Sequence, residues 1–101
     1  MKPQHMTRIL DGKRYDTAKA ELVASDAYWD GHNFERHGRN RWLWRTPKGA
    51  YFLTTQTQWQ GEQDSLEPLT EDEAIELYEQ SLTEHAMNHA EAFPSVIVED
   101  A

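Results

Sequence analysis

The stretch Asn40 to Trp59, NRWLWRTPKGAYFLTTQTQW, constrains this chain most. It carries three of the four tryptophans (Trp42, Trp44, Trp59) together with Tyr51 and Phe52, and Thr46-Pro47-Lys48-Gly49 sits in its middle. Alternation of residue type on both sides of that turn signal predicts a β-hairpin. Proline presets φ at the first corner, and glycine tolerates the positive φ that closing the turn usually needs. With Arg45 opposite Ala50, the expected partners are Trp44 with Tyr51, Leu43 with Phe52 and Trp42 with Leu53. Cross-strand neighbours share a face, so the tryptophans, Tyr51 and Leu53 form one apolar face, and Leu43 and Phe52 form the other. A hairpin apolar on both sides must be covered twice.

The flanking segments supply candidates for that cover. Thr7 to Leu10, Asp11-Gly12 and Lys13 to Tyr15 predict a small hairpin, because Asp-Gly is a preferred two-residue turn. Asp16 or Thr17 is expected to cap a short helix over Ala18–Ala24, followed by a loop from Ser25 to Asn33 and a strand at Phe34–His37. Gln60 to Ser65 is a polar loop, and Leu66 to Leu69 leads into the clearest helix signal. There Thr70 and Glu73 form a capping box, and Leu69 can staple onto Ala74. On a helix running over 71–92, Ile75, Tyr78, Leu82, His85 and His89 share the inner face. Asp72, Glu73, Glu76, Glu79, Glu84 and Glu91 fall on the outer one. Pro94 stops this helix, and Val96-Ile97-Val98 has the character of a short strand.

The expected fold is therefore α+β: a small antiparallel β-sheet, a meander of three to five strands, with one short N-terminal helix and one longer amphipathic C-terminal helix packed on a face. Trp42, Trp44, Tyr51, Leu53, Ile75, Tyr78 and Leu82 are the expected core. At 101 residues the chain reads as a single domain, 1–101, with 1–6 and 95–101 frayed and Met6 as an alternative start. No apolar run is long enough to span a bilayer, and the first residues lack the basic start and apolar middle of a signal peptide. With no cysteine there are no disulfides and no thiolate chemistry. A cytoplasmic protein is expected.

Charge is divided sharply along the chain. All ten Lys and Arg lie at or before Lys48, so residues 1–48 carry +4, and residues 49–101 carry −12 with no base. An acidic surface of this kind attracts cationic partners and repels nucleic acid. Its bland interpretation is a solvated face that promotes solubility.

Catalytic patterns are weak. His85 and His89 stand at i and i+4, a spacing that can share a metal, but the general base of HExxH is missing and partly buried imidazoles are the simpler interpretation. His32 and His37 near Asp30 and Glu35 form the kind of grouping that polar loops produce by chance. No serine occupies a nucleophile elbow and no glycine-rich loop could cradle phosphate. An exposed row of carboxylates is poor general-acid material, because raising a carboxyl pKa needs burial or a held like charge. A non-enzymatic protein without cofactor or metal is expected. Arg36, Arg39, Arg41, Arg45 and Lys48 lie among aromatics and could contact phosphates and bases, which makes 36–48 the alternative functional region. The net charge of −8 works against it. Carboxylates along a rigid helix can instead imitate a phosphate row, and Glu71, Asp72, Glu73, Glu76 and Glu79 are the candidate contacts to a protein with a basic surface.

Gly12-Lys13-Arg14-Tyr15-Asp16-Thr17 with Ala18 and Ala20, then Leu43 to Leu53 (LWRTPKGAYFL), then Pro68 to Ala74 (PLTEDEA), occur in that order. This set resembles a family of small accessory proteins of phages, prophages and integrative elements whose members run GKxYDTxxA, LYRTxxGxYFL and PLTxxEA. The resemblance spans roughly residues 8 to 80, and its central block is the most specific part. Trp44 stands where the family usually has tyrosine, and Thr54 to Gln58 (TTQTQ) replaces a glycine-rich segment. The resemblance implies an anti-CRISPR protein, one that binds a CRISPR effector complex of type I and blocks DNA binding or nuclease recruitment. It carries no site residues across.

Overall fold

A computed structural model describes residues 4–26, 39–57, 61 and 63–101. Asp11 and Gly12, both at positive φ (52° and 75°), form the two-residue turn between β1 (Thr7–Leu10) and β2 (Lys13–Asp16). Positive φ at both central positions matches the turn to the right-handed twist of its strands. A separate five-stranded antiparallel sheet contains β3 (Glu21–Ser25), β4 (Arg39–Arg45), β5 (Tyr51–Thr57), β6 (Ser65–Leu69) and β7 (Glu84–His85), in the order β6-β5-β4-β3-β7. Two helices, α1 (Glu71–Gln80) and α2 (His89–Ala92), complete an α+β fold.

The central hairpin forms, but one residue tighter than expected. Thr46 N–H donates to Ala50 O (2.8 Å) and Ala50 N–H to Thr46 Oγ1 (3.0 Å), so these two residues close a three-residue loop with Gly49 at φ 87°. The strand pairs are consequently Arg45 with Tyr51, Trp44 with Phe52, Leu43 with Leu53 and Trp42 with Thr54. A slip of one residue exchanges faces. Trp42 and Trp44 share their side with Phe52, and Leu43 shares the other with Tyr51 and Leu53.

Both faces are covered, though not as the helix pattern suggested. The tryptophan face meets the N-terminal hairpin: Tyr15 packs edge-on to Phe52 (5.7 Å between centroids), Trp44 stacks on Phe52, and Met6, Leu10 and Leu66 fill around them. Arg8 Nη1 donates to Leu66 O (3.1 Å), and Gln4 N–H to Gln56 Oε1 (2.7 Å), fixing that cover to the sheet. The Leu43–Leu53 face meets the C-terminal part of the chain through Ala74, Tyr78, Leu82, Ala92 and Phe93, with Ile75 at the margin. Six of the seven expected core residues are thus buried, divided between two clusters by the sheet, and Ile75 is only half-buried.

Three expected elements are corrected. The helix over 18–24 is replaced by β3. Asp16 stops at a turn, accepting from Ala18 N–H (2.9 Å) and Lys19 N–H (3.2 Å), and the chain then extends. Leu22 faces the tryptophan cluster, while Val23 and Ala24 both face the other one, because a β-bulge between Leu22 and Ala24 inserts Val23. Burying apolar residues on two sides suits an interior strand. The helix expected over 71–92 ends at Ser81, where Ser81 N–H and Leu82 N–H both donate to Leu77 O. Leu82 drops into the core, and the chain pairs as β7 with β3 (Ala24 with His85, Ser25 with Glu84) before α2 begins. Asn88 and Glu91 form a second capping box there, and Pro94 follows the last turn. Val96 to Val98 makes no strand; Ile97 is 88% exposed. The strand expected at Phe34–His37 and most of the loop at Ser25–Asn33 lie outside the described residues.

Candidate partner-binding surface on the acidic helix

The surface begins with a helix start the backbone can satisfy. Thr70 Oγ1 accepts from Glu73 N–H (3.2 Å), and the Glu73 carboxylate accepts from Thr70 N–H (2.9 Å), so two of the unpaired donors at the helix end find partners. The bonds to the Thr70 backbone and hydroxyl hold the Glu73 carboxyl below the usual glutamate range. Glu71, Asp72 and Glu73 lie at the positive end of the helix dipole. Ala74 and Tyr78 anchor the opposite side in the core, and Tyr78 Oη donates to Met87 O (2.7 Å). Burial raises the Tyr78 phenol pKa, as it does for Tyr51, whose hydroxyl donates to Ala92 O (2.6 Å). The helix is therefore fixed in orientation.

All five candidate carboxylates, Glu71, Asp72, Glu73, Glu76 and Glu79, are exposed. They differ in what they already hold. Glu71 accepts from Ser95 Oγ (3.2 Å), Glu73 serves the cap, and Glu79 lies 2.9 Å from His89 Nε2. The side chains of Asp72 and Glu76 make no hydrogen bond or ion pair among the described residues. With Glu79 they fall at i, i+4 and i+7, one outward stripe about two turns long.

The basic alternative is less open than the sequence suggested. Arg41 Nε donates to Asp26 Oδ2 (2.9 Å), and its backbone N–H donates to Asp26 Oδ1 (2.7 Å). Arg45 lies on the Leu43 face, as expected from its register. Its guanidinium donates to the carbonyls of Glu91 and Ala92 and lies 3.6 Å from Glu21. Arg45 is a clamp for the end of α2, a role its position in the strand did not indicate. Arg36, His32, His37, Asp30 and Glu35 lie outside the described residues.

The shared helical face of His85 and His89 does not exist, because the helix ends before either. His85 stacks on Tyr78 (3.8 Å between centroids) with Nε2 2.9 Å from Tyr78 O, and His89 meets Tyr78 edge-on while contacting Glu79. Both rings pack on Tyr78, and their Nε2 atoms are engaged by different groups, Tyr78 O and the Glu79 carboxylate. No group of three or more metal-ligating side chains occurs among the described residues, and no described helix is long and apolar enough to cross a membrane.

Comparison with protein-family models, curated proteins and solved structures finds no match to this chain.

Proposed function

We propose that this protein is a non-enzymatic inhibitor from a phage or mobile element, an anti-CRISPR protein that docks its acidic helix on a basic surface of a CRISPR effector complex in the host cytoplasm and blocks DNA binding there. The observation that carries this reading is the outward stripe of α1, in which Asp72 and Glu76 project from a capped, core-anchored helix without an internal partner. Fixed charges on a rigid element lose little freedom on pairing with Arg or Lys, and they steer encounter with a positive patch. The absence of any base after Lys48 extends the attraction beyond the stripe. Direct nucleic-acid binding through 36–48 draws less support, since Arg41 and Arg45 are committed to internal partners.

The test is competition. A purified type I effector complex is mixed with target DNA and increasing amounts of wild type or Asp72→Lys/Glu76→Lys/Glu79→Lys. Inhibition by wild type and at least about a tenfold loss in the reversal, with far-UV circular dichroism unchanged, is the expected result. Full activity of the reversal removes the acidic-mimic mechanism.

A further inference from the structure

The two hairpin turns that cover and build the tryptophan cluster also border a groove of about 560 Å³, lined by Lys13, Arg14, Asp16, Lys19, Pro47 and Lys48 among others. Four cations and a single carboxylate face one cavity in a chain whose net charge is −8. The side chains of Lys13, Arg14 and Lys48 have no hydrogen bond or ion pair among the described residues, although the chain carries eighteen acids. The one carboxylate present, Asp16, is already engaged by His5 Nε2 (2.8 Å) and Ala18 N–H (2.9 Å). The opposite side of the same β4–β5 turn offers a contrast. Its cavity of about 480 Å³ holds Arg45 and Lys48 against Glu21 and Glu71, a balanced set. Of these two neighbouring cavities, the first carries the excess of positive charge.

We propose that this groove is a binding site for a small, multiply charged oxyanion, a ligand bearing two or more phosphate groups. Ammonium and guanidinium groups of residues lining one groove can contact separate phosphates, with the guanidinium able to bind in a bidentate fashion. The volume of this open groove falls within the range of about 300–1,000 Å³ usual for small-molecule sites. Charge also limits the size of the ligand. A compact anion stays within the local positive field, whereas an extended nucleic-acid backbone would run on to a surface that is negative overall. The site is independent of the acidic stripe on α1 and of the function proposed for it.

Calorimetric titration of the whole chain with sodium tripolyphosphate at low ionic strength tests the assignment. Saturable binding that weakens with added salt is expected, with amide shifts concentrated in residues 12–19 and 46–50. Lys13→Gln/Lys48→Gln, which removes one cation from each hairpin, weakens it by about tenfold or more. Arg14→Gln/Lys19→Gln does the same. All four side chains are exposed, so both variants fold. No binding, or binding equally tight in both variants, overturns the proposal. A single-stranded oligonucleotide that binds the groove more tightly than tripolyphosphate overturns it as well, in favour of a nucleic-acid interface.

Discussion

Thr54→Val isolates one buried hydrogen bond that orients the tryptophan cluster. Trp44 Nε1–H donates to Thr54 Oγ1 at 2.9 Å, with Trp44 7% and Thr54 1% exposed. An indole nitrogen only donates, and valine has nearly the shape of threonine but cannot accept. The variant therefore keeps packing volume and leaves the indole N–H buried without a partner, a cost of about 1–3 kcal/mol. For a domain of this size that corresponds to a fall in Tm of roughly 4–8 °C per kcal/mol. In a Trp44→Phe background the sign changes. The donor is gone, the threonine hydroxyl is then the orphan, and replacing it with valine is neutral or slightly stabilising. The coupling between the two substitutions is thus expected at about 1–3 kcal/mol. Chemical denaturation followed by far-UV circular dichroism measures all four corners of the cycle without depending on tryptophan emission. If Thr54→Val costs the same in both backgrounds, the bond does not contribute as argued.

Two further outcomes follow from the turns and caps. Glu73 has a depressed pKa in the folded state, so its contribution is present above the usual value of 4.5 and is lost as pH falls through the lower folded value; Glu73→Gln should flatten that part of the acid limb in pH-dependent denaturation. Gly49 lies at φ 87° with nothing within 4 Å of a built Cβ, so Gly49→Ala meets backbone strain without a clash; a loss of about 1 kcal/mol in equilibrium unfolding is expected.

What could be read from the sequence was local chemistry. Asp11-Gly12 and the Thr70–Glu73 box announced their turn and cap because each works through residues a few positions apart. The central hairpin was legible from its alternation, but its register depended on whether the loop closed at Arg45 or at Thr46. That one-residue difference moved Phe52 to the tryptophan side. Leu22, Val23 and Ala24 lacked a strand's alternation because a bulge interrupts it, and the helical wheel continued smoothly through Ser81 although β7 finds its partner on β3. Neither pairing leaves a local mark. The carboxylates of α1 were visible as a stripe, whereas Lys13, Arg14 and Lys19 meet Lys48 only through the docking of one hairpin beside another.

The strand order β6-β5-β4-β3-β7 has an entropic consequence. From β3 to β6 each strand lies beside the next one along the chain, so their pairing closes comparatively short loops. β7 instead returns to β3, joining Ala24 to His85 across most of the sequence with only two paired residues. Closing that long loop carries the larger entropic cost for the smaller number of bonds. The segment from Leu82 to Phe93 offsets that cost through burial rather than strand pairing, with Leu82, Ala92 and Phe93 in the core and Ala92 O held by Tyr51 and Arg45. Because α1 packs on β5 and β6 and is also tied to that segment through Tyr78–Met87 and Glu79–His89, the setting of its acidic stripe depends on the long loop being closed.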